Sequence, residues 1–181
     1  MINDRTSEVR CWRTRSIQDG YSWISTHHLI TIARPVPQVF AIADDLPGWP
    51  EIFPPCQAIE ILERQGGITR FRITALANER LVSWVSQRNV DKERYKVDFV
   101  QLEPFPPLAV MKGTWWFKEV SAGTLIDFVH HFTLASHDPE LYSAELALCR
   151  AVDANSIAEL SALRDVCEQS LERKEKGYAQ L

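Results

Sequence analysis

Along the first 134 positions, apolar and polar residues alternate in short runs, the pattern of β-strands that have one buried face. The most informative run covers residues 81–90, where Trp84, Ser86 and Arg88 occupy every second position. As a strand, this run places an indole, a hydroxyl and a guanidinium on one face. The mixture favours the lining of a pocket, in which the guanidinium would need an acceptor. The alternative is that Arg88 lies in solvent at the open end of an ordinary strand.

Residues 109–120 form a second run of this kind, whose one face consists of Met111, Gly113, Trp115 and Phe117. This face is a broad apolar wall with a gap at the glycine, where a ligand could approach. Ordinary core packing is the competing explanation. A third run, residues 124–134, places His130 between two phenylalanines on one face.

The complete pattern predicts seven strands, two short helices and one long helix. The strands are predicted at residues 21–33, 58–64, 68–76, 81–90, 94–102, 109–120 and 124–134. Two short helices follow the first strand, one around residues 39–43 and one at residues 48–53 with Trp49 and Phe53 on one face. The later connections are too short for crossovers, so the last six strands form an antiparallel meander. Residues 139–175 form a long amphipathic helix, on which Asn155 is either a polar group of a pocket or a core amide bonded to backbone.

Composition narrows the functional classes. The 181 residues suit one domain, predicted at residues 21–178, with residues 1–20 as a polar extension that is either loose or packed on a partner. The formal net charge of -4 and the pI near 5.7 argue against a nucleic-acid surface. No apolar run reaches the roughly 20 residues of a membrane span. The four cysteines are far apart and there is no secretory leader, so we expect reduced thiols in a cytoplasmic protein without a zinc or redox motif.

The order of these elements is recognised as that of the helix-grip fold, an α+β fold in which a bent antiparallel sheet wraps a long C-terminal helix around a cavity. Within this START-like superfamily, the sequence resembles the aromatic polyketide aromatase/cyclases of the tetracenomycin type over residues 26–173. Three motifs carry the resemblance: LPGWPEIF at residues 46–53, WVSQR at residues 84–88, and Met111 followed four residues later by Trp115.

The resemblance implies an enzyme that folds a poly-β-ketone, delivered on an acyl carrier protein, and promotes aldol cyclisation and dehydration without a metal or redox cofactor. It assigns the apolar cavity wall to Trp49, Phe53, Trp84, Met111, Trp115 and Phe128. Ser86 and Arg88 would orient and polarise the ketone carbonyls. Neither a nucleic acid nor a membrane is expected as a partner, and both a monomer and a homodimer stay open.

Three positions depart from the family pattern. Cys56 stands where the tetracenomycin-type enzyme has a tyrosine, Gln101 replaces an arginine, and His130 replaces a cavity glutamine. His130 either substitutes as the acid or base, since an unperturbed imidazole titrates near neutrality, or is a hydrogen-bonded core residue. A function of another class, a non-catalytic carrier for a lipid or a quinone, fits the same fold. Such a carrier has no need of Arg88 or His130 inside its cavity.

Overall fold

The computed structural model of the chain describes residues 8–77, 80–104, 106–134 and 142–178, with side chains for all of these except residues 77 and 170–178. The strands are β1 (Arg10–Gln18), β2 (Tyr21–Ile32), β3 (Cys56–Gln65), β4 (Ile68–Ala77), β5 (Arg80–Asp91), β6 (Lys96–Gln101), β7 (Leu108–Val120) and β8 (Gly123–Leu134). The helices are α1 (Val36–Asp44), α2 (Trp49–Ile52) and α3 (Tyr142–Tyr178), and a 3-10 turn at Leu46–Gly48 leads into α2. No helix within these ranges is long and apolar enough to cross a membrane.

The strands form one open antiparallel sheet in the order β1-β2-β8-β7-β6-β5-β4-β3. Between β2 and β3 the chain passes through the short helices, so β2 pairs with β8 and not with β3. Every later connection up to β8 joins neighbouring strands, which gives the meander expected from the short turns. The α+β helix-grip fold predicted from the sequence is confirmed.

The structure corrects the prediction for the N-terminal residues. Part of the expected loose extension is strand β1, which pairs with β2 in a continuous register that begins with Arg10 opposite Leu29. Every residue of β1 is exposed, so no apolar alternation marks the strand, and the backbone ladder holds it. A signal was present in the turn of Asp19 and Gly20, whose φ angles of 52° and 77° are those of a tight hairpin. The sheet therefore has eight strands and not seven, and residues 1–7 of the extension lie outside the described residues.

Helix α3 divides the interior into a solid part and a hollow part. Its Leu160, Leu163 and Cys167 are buried in the main apolar core, together with residues of α1, β2 and β8. Residues nearer its N-terminus, including Val152 and Ser156, line a cavity, and Val152 also packs in a second, smaller apolar cluster. The long predicted helix is confirmed as α3, while its first predicted residues, 139–141, lie outside the described residues.

Gly113 of β7 allows a close approach to β6. A Cβ atom at this position would overlap the ring of Phe99 and the carbonyl oxygen of Val129. The expected gap in the β7 wall is therefore filled by Phe99 and is not open to a ligand. The Phe99 ring itself lines the cavity, 6.0 Å from the ring of Phe128 and 5.4 Å from that of His130.

Candidate active site

The curved sheet and the N-terminal half of α3 enclose a mostly apolar cavity of about 240 Å³. All the residues that the sequence analysis placed in a site line this cavity. They are Trp49, Phe53, Cys56, Trp84, Ser86, Arg88, Gln101, Met111, Trp115, Phe128, His130 and Asn155. The fold thus brings them together from two helical segments and five strands.

Aromatic rings form a continuous part of the cavity wall. Trp49 meets Phe53 edge-on at a centroid distance of 5.2 Å. Trp115 lies 6.3 Å from Phe53 and 4.0 Å from Phe128. The indole N–H of Trp49 donates a hydrogen bond to the carbonyl oxygen of Ala43 at 3.0 Å, which fixes that ring. Flat, rigid surfaces of this kind suit a planar or folded conjugated guest.

Arg88 is buried, and one nitrogen of its guanidinium group is held by hydrogen bonds. Only 6% of its surface is exposed, and its Nη2 donates hydrogen bonds to the carbonyl oxygen of Asp44 (2.7 Å) and to its carboxylate Oδ1 (2.8 Å). Its Nε and Nη1 atoms are buried and have no hydrogen-bond partner among the described residues. Burial lowers the pKa of Arg88, the charge of Asp44 opposes that shift, and the guanidinium stays cationic. The alternative of a solvated arginine at the strand end is excluded.

Two uncharged polar side chains lie near Arg88 in the sheet. Ser86, which is buried, precedes Arg88 on the same face of β5 and stands opposite Gln101 of β6. The Gln101 Oε1 atom is buried and lacks a hydrogen-bond partner in the described part of the chain. Ser86 and Arg88 supply hydroxyl and guanidinium donors to one cavity, which suits a ligand rich in carbonyl oxygens, and the Gln101 Oε1 atom offers an acceptor for an enol or hydroxyl group.

His130 packs against Phe128 in the cavity wall, with 4.2 Å between the ring centroids. Burial lowers the pKa of His130 to about 3, and the neighbouring His28 and His131 add to that shift. The imidazole is therefore neutral at physiological pH. Its Nδ1 atom is buried without a hydrogen-bond partner among the residues described, which counts against a fully hydrogen-bonded core histidine.

His28 of β2, which the sequence analysis did not assign to the site, adjoins His130. It is fully buried and meets the His130 ring edge-on, with 6.3 Å between centroids. Its Nε2 atom is 3.1 Å from Asp153 Oδ1 of α3, and Asp153 also pairs with Arg13 of β1. Burial lowers the pKa of His28, although Asp153 opposes the shift. The added strand β1 is thus linked through α3 to the cavity wall.

The sequence analysis missed one ionisable residue of the cavity, Glu159 of α3. Burial alone raises the pKa of its carboxyl group to about 8, so the acid is mostly protonated at neutral pH. A glutamate on an amphipathic helix is ordinarily assigned to solvent, which is why the pattern did not reveal it. Its position four residues after Asn155 is the signal that places both side chains on one face.

Cys56, at the start of β3, is buried in the same cavity. Burial, with a smaller contribution from the charge of Glu159, raises the pKa of its thiol to about 11. The thiol is therefore protonated at neutral pH and is a poor nucleophile. The proton donor that the family tyrosine would supply has to be sought elsewhere in the cavity.

A bent antiparallel sheet that closes on a long C-terminal helix around one cavity, with a buried arginine in an apolar wall, defines a helix-grip protein built to hold a small molecule. The chain belongs to the polyketide cyclase/dehydrase and lipid transport family, whose model matches residues 24–168. The family resemblance inferred from the sequence motifs is thereby confirmed.

Curated relatives of the chain include two from Streptomyces. The granaticin polyketide synthase bifunctional cyclase/dehydratase of Streptomyces violaceoruber is 35% identical over 144 residues, which are 79% of this chain and 44% of that protein. A putative polyketide cyclase of Streptomyces cyaneus is 30% identical over 146 residues, 80% of this chain and 93% of that protein. The chain therefore spans about half the length of the bifunctional relative and nearly all of the shorter one.

A solved structure agrees with these relatives. The Zhui aromatase/cyclase from Streptomyces sp. R1128 is 29% identical and superimposes with a TM-score of 0.76. The match covers 82% of this chain and 96% of that chain. The helix-grip domain of this protein thus corresponds to almost the whole of that aromatase/cyclase.

Proposed function

We propose that this protein is a cofactor-independent polyketide cyclase/aromatase, which folds a poly-β-ketone in its cavity and promotes aldol cyclisation and dehydration. The observation that carries the proposal is the burial of Arg88 in an apolar cavity with two nitrogen donors that lack a partner among the described residues. Unsatisfied buried donors are costly, so a ligand that supplies acceptors is favoured. A chain of ketone oxygens is such a ligand.

Binding and folding of the substrate are assigned to the donors and the aromatic wall. Arg88, assisted by Ser86 and Gln101, holds a ketone oxygen and stabilises the negative charge that develops on it when a neighbouring methylene loses a proton. This stabilisation is strong because the cavity has a low dielectric constant. The rigid rings of Trp49 and Trp115 restrict the chain to bent conformations in which two reacting carbons lie close together.

The chemistry also requires a group that moves protons. In the aldol step, a base takes a proton from a methylene, the enolate carbon bonds to a second carbonyl carbon, and that carbonyl oxygen gains a proton. In the dehydration, a base takes an α-proton and the hydroxyl leaves as water with a proton from an acid. Glu159 suits this work because its pKa of about 8 lies near the operating pH. His130, with a pKa of about 3, is better suited to orienting a carbonyl by a hydrogen bond.

Delivery of the substrate on an acyl carrier protein in the cytoplasm is part of the proposal. The family resemblance supports delivery on a carrier, and four cysteines that are far apart in the sequence and lack a paired motif suit a reducing compartment. The rival function, transport of a lipid or a quinone, accounts less well for the site. Arg88 has buried donors that an apolar cargo would leave unsatisfied, and Glu159 adds a polar group to the cavity lining.

The test is product profiling with a purified minimal polyketide synthase that builds a poly-β-ketone on its acyl carrier protein. Addition of the wild-type protein should convert the mixture of spontaneous products into one dominant aromatic product. Arg88→Ala should restore the spontaneous mixture, because the substrate carbonyls lose their anchor. Arg70→Ala removes an exposed arginine of β4 and should behave as the wild type. A product mixture that does not respond to the wild-type protein, or is the same with Arg88→Ala as with wild type, would refute the proposal.

A further inference from the structure

Asp44, the last residue of α1, is the carboxylate that pairs with Arg88. Its backbone carbonyl oxygen and its Oδ1 atom both accept hydrogen bonds from Arg88 Nη2, at 2.7 and 2.8 Å. The side chain of Asp44 is 20% exposed and that of Arg88 is 7% exposed. Two acceptors on one nitrogen fix the guanidinium plane. They leave Nε and Nη1 as the donors that have no partner among the described residues.

Other charges near Arg88 are screened by solvent. Lys92 Nζ lies 3.6 Å from the second carboxylate oxygen of Asp44, but the Lys92 side chain is 77% exposed. Arg64 and Asp45, which also influence the pKa of Arg88, are exposed. Exposed charges contribute little because water and salt screen them. Asp44 is therefore the group that offsets the buried charge of Arg88.

The remaining ionisable groups of the cavity wall are mostly uncharged at neutral pH. A pKa of about 3 keeps His130 neutral, a pKa of about 8 keeps Glu159 mostly protonated, and a pKa of about 11 keeps Cys56 a thiol. With Asp44 offsetting Arg88, the wall has a net charge near zero. A ketone oxygen can accept hydrogen bonds from Arg88 without altering this balance. A carboxylate would bring an additional, uncompensated charge from water into the cavity, whereas an enolate forms there by proton transfer to a base and leaves the total charge unchanged.

We propose that Asp44 is a positioning and specificity-determining residue, which fixes the Arg88 guanidinium and offsets its charge so that the cavity accepts uncharged carbonyl ligands and rejects carboxylates. The inference rests on the proposed function in one respect, namely that Arg88 meets the substrate. It narrows the substrate class. A poly-β-ketone held as a thioester is uncharged and enters, whereas the free acid formed by its hydrolysis is excluded.

The test compares two probes of nearly equal size, the ketone 2-acetylnaphthalene and the anion 2-naphthoate, by calorimetric titration at about pH 6.5, where Glu159 is protonated. The wild-type protein should bind the ketone more tightly. Asp44→Asn removes the offsetting charge and keeps an oxygen acceptor, so affinity for naphthoate should rise by about 10- to 100-fold, the equivalent of one charge-assisted hydrogen bond. Asp45→Asn removes an equal charge at the adjacent exposed position and should keep the wild-type ratio of affinities.

Two more variants keep the test decisive if Asp44→Asn does not fold. Arg88→Gln leaves Asp44 as the uncompensated charge and should weaken naphthoate binding relative to ketone binding. The double variant carries neither charge and should return the ratio towards that of the wild type. An unchanged ratio in the single variants, an equal shift in Asp45→Asn, or failure of the wild type to bind the ketone would overturn the inference.

Product profiling separates this inference from the proposed function. If the affinity ratio responds to Asp44→Asn while Arg88→Ala leaves the products unchanged, the cyclase proposal fails and the charge selection by Asp44 stands. If Arg88→Ala alters the products while the ratio of the two affinities is the same in Asp44→Asn as in the wild type, the cyclase proposal stands and the role of Asp44 is refuted.

Discussion

Glu159→Gln tests the chemistry of the cavity most directly. Glutamine has nearly the same shape as glutamate but does not ionise. A rise in the pKa of Glu159 from 4.5 to about 8 corresponds to about 5 kcal/mol of disfavour for the ionised carboxylate in the folded protein. Water that enters the cavity solvates the carboxylate in part, so we expect a penalty of several kcal/mol. The substitution should remove this penalty.

The penalty has a defined pH window. Below pH 4.5 the carboxyl group is protonated in the folded and the unfolded chain alike, and wild type and variant should be equally stable. Between pH 4.5 and about 8 the unfolded chain loses the proton that the folded chain keeps, so the contribution of Glu159 to wild-type stability falls as the pH rises. The unfolded-state titration of His130 near pH 6.5 is common to wild type and variant, so it cancels from the difference between their unfolding free energies. At about pH 9 the variant should be more stable by several kcal/mol.

Urea unfolding at a series of pH values, followed by tryptophan fluorescence, measures this difference. Asp165→Asn is the matched control, because the side chain of Asp165 is 54% exposed on the same helix. The unfolding free energy of this variant should follow that of the wild type at every pH. In product profiling, Glu159→Gln should reduce the dehydrated aromatic product about 100-fold or more, the usual contribution of a general acid or base. The wild type should lose the same product as the pH rises past about 8. Parallel stability curves, or full dehydration by the variant, would refute the reasoning.

Two further predictions concern His130 and Gly113. Because burial lowers the pKa of His130 from 6.5 to about 3, the unfolded chain takes up a proton that the folded chain excludes, and stability falls as the pH drops below 6.5. His130→Gln should reduce the pH dependence of the unfolding free energy between about pH 6.5 and 4. If this pH dependence is the same in the variant as in the wild type, the burial of the His130 imidazole is contradicted. Gly113→Ala should destabilise the fold by about 2–3 kcal/mol, because the new Cβ overlaps the Phe99 ring and the Val129 carbonyl oxygen. A thermal unfolding midpoint equal to that of the wild type would disprove this close approach.

The pairing of Ser86 with Arg88 in the site could be predicted from the sequence because both residues lie on one strand. Because side chains alternate between the two faces of a strand, the sequence alone predicts that Trp84, Ser86 and Arg88 share one face. The hydrogen-bond partner of Arg88 could not be predicted in this way. Asp44 lies 44 positions earlier, at the end of a helix, and no local periodicity couples a helix end to a strand.

Neither strand β1 nor the cavity position of Glu159 was predicted from the sequence, and the reasons are opposite. In β1 every side chain is exposed, so its pattern contains no information about burial, and only the turn at Asp19 and Gly20 marks the hairpin. At Glu159 the pattern was misleading, because charge on a helix normally indicates the solvent face. Glu159 is an exception because it is half-buried and lines the cavity.

The division of α3 explains how the protein combines a stable fold with a polar cavity. Leu160 and Leu163 are fully buried with residues of α1 in the main core, so the position of α1 is fixed by apolar packing. The backbone carbonyl of Asp44, at the end of α1, is one of the two acceptors that hold Arg88. The core therefore positions the Arg88 guanidinium through main-chain geometry. Residues elsewhere on the wall, such as Cys56 and Gln101, can differ from the tetracenomycin-type pattern without disturbing that anchor.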